Sequence, residues 1–187
     1  MPPKKRTETK LYTRYPLSSL LIYNAATILH FLLGGAGIML GYAFAAWPAY
    51  LAGGLYLLFA FAEMYLLMPL RVCRHCVYYR LEGSRCISGL NLLSRRIAGP
   101  GRPKDFAGRA QGLWCSNNLY MAALVLPVLA ILPALALNFS VLLLAICLAL
   151  LGLLLFRFFV LFLKIACVHC RAKYQCPQAE AMGVRSV

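Results

Sequence analysis

The sequence predicts an all-α integral membrane protein with four transmembrane helices, arranged as two tandem helical hairpins. Three observations predict it. Hydrophobic residues make up 62% of the 187-residue chain and charged residues only 13%, about half the charged share of a soluble domain. Four apolar stretches each reach the roughly 20 residues that cross a bilayer at the helical rise. All but one of the 19 Lys and Arg residues fall on one side once those stretches are threaded up and down, and the positive-inside rule assigns that side to the cytoplasm.

The spans are expected at residues 17–40, 49–70, 119–137 and 141–163. The first is read as a permanent span, because no small-residue cleavage site follows it. Residues 41–48 and 138–140 carry no charge and are expected to be tight turns on the outer side. Both termini, the loop 71–118 and the tail 164–187 then lie inside, and residues 1–187 make one membrane domain. In the first span, Gly34, Gly35, Gly37 and Gly41 predict close helix contact. In the third, Pro127 and Pro133 predict kinks.

Within the loop, Ile87, Leu90, Leu93 or Ser94, and Ile97 share a helical face opposite Arg95 and Arg96, the pattern of a helix lying in the membrane interface. "GPGRPK" breaks it. Asp105 is the expected N-cap of a second short helix ending near Leu113, with Trp114 at headgroup level.

Two motifs close the hairpins: "CRHC" at residues 73–76 and "CVHC" at 167–170. Aligning Cys73 with Cys167 also aligns Cys76 with Cys170 and His75 with His169, which predicts a parallel duplication of one hairpin. The alignment sets Glu63 against Arg157, each ten residues before its first cysteine and each a formal charge well inside a span. Such charges are costly unless paired, so Glu63 and Arg157 are expected to meet as an intramembrane ion pair that places the second span beside the fourth.

Cysteines at a cytoplasmic face stay reduced, so a disulfide framework is not expected. Two Cys-x-x-Cys hooks supply four thiolates to one tetrahedral ion, and Cys73, Cys76, Cys167 and Cys170 are the expected ligands. Cys86, Cys176 and Cys115 are further candidates, and Cys147, alone within a span, reads as a packing residue. His75 and His169 are read as groups supporting the ligands or as alternative ligands. Zinc is the first expectation for the cofactor. An iron-sulfur cluster is the alternative, suggested by six motif cysteines and by Cys176-Pro177. Arg71, Arg74, Arg80, Arg85, Arg171 and Lys173 crowd the hooks and are expected to favour thiolate over thiol.

The net charge of +14 follows the positive-inside pattern, which leaves nucleic acid without support as a partner. Anionic inner-leaflet lipids are the expected partners of Arg71, Arg95, Arg96 and Lys164. The Asp-His-His-Cys signature of the protein palmitoyltransferases is absent, and no catalytic residue is assigned. The expected role is non-enzymatic: a metal-binding component, structural or partner-docking, of a membrane assembly. A redox carrier between a cytoplasmic donor and the membrane is the alternative.

Overall fold

The structure, a computed structural model, describes residues 10–184. Lys4, Lys5, Arg6 and Arg185, which contribute to the charge pattern above, lie outside the described residues. Four helices are long and apolar enough to cross a membrane: α1 (Leu17–Gly41), α2 (Trp47–His75), α4 (Ser116–Leu137) and α5 (Val141–Ala166). A shorter helix, α3 (Leu90–Ile97), lies in the loop between α2 and α4. Four such helices fit a multi-pass membrane protein.

Helix α1 is the centre of the bundle and packs against α2, α4 and α5, while α4 also packs against α2 and α5. With α1 and α4 in contact across the middle, α2 and α5 stand on opposite sides. In lipid the apolar solvent drives no helix together, so close backbone approach has to supply the contact energy. The glycines provide it. A Cβ on Gly37 would fall 2.4 Å from Ile131, one on Gly41 2.7 Å from Ala134, and one on Gly53 2.4 Å from Met39. Phe31, Ala60, Ala123, Leu124 and Leu161 fill the seam and are fully buried. Leu21, Leu58, Leu129 and Leu148 point outward, as lipid-facing positions do. Cys147 is buried beside Ile146 and Leu150 in a second apolar cluster, in the packing role read from the sequence.

Both helices that lead into a cysteine motif widen to π-helix ten residues before its first cysteine, over Glu63–Leu67 and over Arg157–Ala166. A π segment lets a helix carry a side chain that regular geometry would misplace, and such segments concentrate at functional positions. Here each begins on a buried charge.

The loop departs from the interfacial helix expected of it. In α3 the buried side chains are Leu90, Asn91 and Ser94, whereas Ile97 is exposed. Polar groups turn inward because the loop's carbonyls need donors. Asn91 Nδ2 donates to the Ser84 carbonyl at 3.0 Å, and Ser94 Oγ donates to the Pro69 carbonyl at 2.8 Å. The second short helix is only Phe106–Arg109; Asp105 precedes it without capping it and pairs with Arg102 at 3.0 Å instead.

Candidate functional site

The two hooks have the same backbone. In each, the last cysteine's N–H donates to the first cysteine's carbonyl, Cys76 to Cys73 at 3.1 Å and Cys170 to Cys167 at 3.2 Å. Cys76 and Cys170 are both extended, with ψ of 149° and 127°, and a helical turn follows each, Val77–Arg80 and Arg171–Tyr174. The backbone N–H groups of Tyr78 and Ala172, two residues on, act on the Cys76 and Cys170 sulfurs. Aiming backbone donors at sulfur is how a hook holds a thiolate.

The hooks meet. Cys76 and Cys170, one from each half of the chain, lie within electrostatic reach of each other, and each also feels Cys86 and Cys176. Cys73 is coupled to Cys86 and Cys76, and Cys167 to Cys170 and Cys176. Electrostatic reach therefore links these six thiols pair by pair, and all six are free and half-buried. Among the described residues, no three His, Cys, Asp or Glu side chains stand together as a preformed ion site.

A segment missed in the sequence holds the halves together. Residues 12–15 run between the two cysteine segments: Tyr12 N donates to the His169 carbonyl at 3.0 Å and Tyr15 N to the Arg85 carbonyl at 2.9 Å. Arg85 N donates back to Thr13 at 3.1 Å, and the Tyr15 hydroxyl to Ala166. Tyr78 spans all three strands of chain, donating to the Tyr12 carbonyl at 2.6 Å and accepting from Arg171 N at 3.2 Å. Read alone, "KLYTRYP" is a basic flank; its alternation of Tyr12 and Arg14 with Thr13 and Tyr15 is the one signal that it lies extended between partners.

His75 and His169 both lie between hook cysteines, and each engages a carbonyl of a separate segment through Nδ1, Arg102 at 3.1 Å and Lys10 at 2.9 Å. His75 is also roofed by Gly101, where a Cβ would sit 2.5 Å from its ring. Both act as ties for neighbouring chain. Cys115 belongs to a different structure: its sulfur accepts from Asn118 N at 3.3 Å, capping α4, and donates to the Ala110 carbonyl at 3.6 Å.

The basic residues do not favour thiolates as expected. Burial, with neighbouring thiols adding to it, pushes the Cys167 and Cys170 thiols up to about 12, and Cys76 upward as well. Three of the six cations are occupied elsewhere. Arg85 donates to the Tyr15 carbonyl at 2.8 Å, Arg80 to Gly101 at 3.1 Å, and Lys173 to Val168 at 3.3 Å. Arg95, expected at lipid headgroups, instead gathers the loop, donating to Tyr79 at 2.8 Å, Tyr78 at 2.9 Å, Leu81 and the Ser84 hydroxyl. Arg71, Arg96 and Lys164 are exposed.

The expected Glu63–Arg157 ion pair does not form. Both residues are buried, but Arg157 donates to the Tyr120 hydroxyl and, at 2.9 Å, to Thr27 Oγ1. Its guanidinium lies 5.5 Å from the Tyr23 ring centroid and 5.7 Å from that of Tyr120. Hydroxyls and ring faces solvate the charge in place of a carboxylate. Glu63 faces the other way, toward the Ser116 hydroxyl and within electrostatic reach of Arg71. The reason is the bundle itself, which sets α2 and α5 on opposite sides. The hooks meet beneath it through the strap and Tyr78, without help from that pair.

No protein-family model matches the chain, and no characterised protein or solved structure matches it either.

Proposed function

We propose that the chain is a multi-pass membrane protein whose cytoplasmic face carries a thiolate metal site built by both halves, with zinc as the ion. The observation that carries this reading is the contact between the two hook flanks, where the Tyr78 hydroxyl accepts from Arg171 N at 3.2 Å and Cys76 lies within electrostatic reach of Cys170. Two hooks of identical backbone, each with a backbone N–H aimed at its second sulfur, are suited to grip one ion from opposite sides. Cys73 and Cys167 complete four ligands; Cys86 and Cys176 add capacity for a second ion or a cluster. The thiols are protonated when unliganded, so binding would release protons and draw the sulfurs together, coupling metal uptake to local folding. The matched hooks and the matched π segments also support descent of the two hairpins from one.

A site whose four ligands are all thiolates of the chain would leave no open position for a substrate, which favours a structural or partner-docking role in a membrane assembly. The strap of residues 12–15 lies against it and would transmit metal occupancy to the chain's N-terminal flank.

Full-length protein, purified anaerobically in detergent, tests the reading by elemental analysis. At least one zinc per chain is expected, lost in Cys76→Ser and in Cys170→Ser while the helical circular dichroism is kept. Iron with acid-labile sulfide and a brown colour would instead establish the redox-carrier alternative. Metal-free protein with freely alkylated thiols would overturn both.

A further inference from the structure

The loop that carries Cys86 leaves α2 a turn beyond Arg71 and re-enters the bundle at Ser116, the first residue of α4. One side chain faces both ends of that neck. Glu63 lies two helical turns before Arg71, is fully buried, and turns its carboxyl toward the Ser116 hydroxyl with Arg71 in electrostatic reach. Ser116 is buried as well, and the π segment that Glu63 opens packs directly on α4.

An ionised carboxyl is poorly provided for in this place. Among the described residues Glu63 makes no ion pair, and Arg71 is exposed, so its charge is screened. One hydroxyl and the positive end of α4 are then all that replaces the water a carboxylate loses on burial. A neutral carboxylic acid avoids most of that cost, and it can both donate to and accept from the Ser116 hydroxyl. Carboxyls buried inside membrane spans are where proton-binding sites are built.

We propose that Glu63 is a proton-binding site that clasps the neck of the loop: the neutral acid is the buried form, and loss of its proton frees the start of α4 from α2. The groups that act on it are Arg71 on its own helix and Ser116 on α4. Arg157 on α5 is turned to Tyr120 and Thr27 and takes no part. Burial favours the proton while Arg71 and the helix end oppose it, and this balance keeps both forms within ordinary pH. The clasp does not depend on metal at the thiols.

The test uses full-length Trp47→Phe protein in phosphatidylcholine nanodiscs. Trp114 is then its one tryptophan, 78% exposed and two residues before Ser116. Raising the pH from about 5 to about 9 should change its emission with the steepness of a single proton. Glu63→Gln keeps the shape and the neutrality, and should hold the emission at its low-pH value throughout. In the unsubstituted protein, dicyclohexylcarbodiimide, an apolar reagent that adds to carboxylic acids, should label Glu63, as mapped by mass spectrometry. Above the same midpoint that labelling should fall about tenfold per pH unit. An equal transition in Glu63→Gln would assign the titration to another group, such as Cys115, and overturn the proposal. A Glu63→Gln trace fixed at the high-pH value would make the ionised form the clasped one and overturn it as well. So would an emission that does not move, or Glu63 unlabelled across the range.

Discussion

Tyr78 and Tyr12 are joined by a 2.6 Å hydrogen bond, 66 residues apart in sequence, at the point where the two halves of the chain meet. The same hydroxyl accepts from Arg171 N, so one oxygen serves the first hook's flank, the strap and the second hook's flank. Tyr78→Phe removes that oxygen and leaves a carbonyl and an N–H unpaired in a buried place. The expected cost is about 1–3 kcal/mol in detergent unfolding. Alkylation of Cys76 and Cys170 should accelerate together. Unchanged labelling of both would show that the hooks are held by something else.

Arg95 and Arg96 are adjacent and chemically identical, yet only Arg95 is built into the loop. Arg95→Lys keeps the charge but replaces a fork serving three carbonyls with a single point donor. Loss of about 1–2 kcal/mol is expected. Read as local opening, that is about a tenfold faster labelling of Cys86, which sits at the loop's turn. Arg96→Lys should change neither quantity, and equal effects of the two substitutions would refute the assignment.

The four spans were legible because a bilayer-length apolar run is a one-dimensional signal. Observed helix ends lie within a few residues of the expected ones, the largest extension being α2 to His75. The paired hooks were legible from spacing. Partner choice was not. Glu63 and Arg157 stand out in sequence because formal charges are rare in spans, whereas Thr27, Tyr23 and Tyr120 are ordinary there and give no sign that they solvate a guanidinium. The interior face of α3 was legible only in part. The amphipathic pattern sets Leu90 and Leu93 or Ser94 on one face, and Leu90 and Ser94 are buried; it wrongly includes Ile97 and gives no sign of Asn91, which is buried because the loop's own carbonyls must be satisfied.

If hydroxyls and ring faces hold Arg157, its charge and that of Glu63 are energetically independent. Arg157→Met should change stability by less than about 1 kcal/mol, since replacing a buried charge by an apolar side chain of similar length removes desolvation cost along with contacts. Thr27→Val with Tyr120→Phe keeps the charge and removes both hydroxyl partners, and should cost about 3 kcal/mol or more. A double-mutant cycle of Glu63→Gln and Arg157→Met should give a coupling below about 0.5 kcal/mol. A coupling of several times that would restore the ion pair.

Helix α4 keeps Pro127 and Pro133 inside a membrane span, and at Pro127 a neighbouring helix compensates. Pro127 has no N–H for the Ala123 carbonyl, and the Tyr56 hydroxyl donates there at 3.0 Å. His30 Nε2 contacts the next carbonyl, Leu124, at 2.8 Å, and since a carbonyl only accepts, that nitrogen carries the proton. Tyr42 donates to Ala130 at 2.9 Å. In hydrocarbon no water can take these roles. Tyr56→Phe should therefore cost about 1–3 kcal/mol with Pro127 present. In a Pro127→Ala background residue 127 regains its N–H, Ala123 has a donor within its own helix, and the same substitution should cost less than about 0.5 kcal/mol. Gly34→Ala should exceed Tyr56→Phe, because the added methyl would stand 2.7 Å from the Tyr56 hydroxyl and 2.9 Å from Pro127, displacing the donor and the helix at once. Equal costs of Tyr56→Phe in the two backgrounds would separate the tyrosine from the proline, and with it the claim that α1 and α2 repair the break in α4.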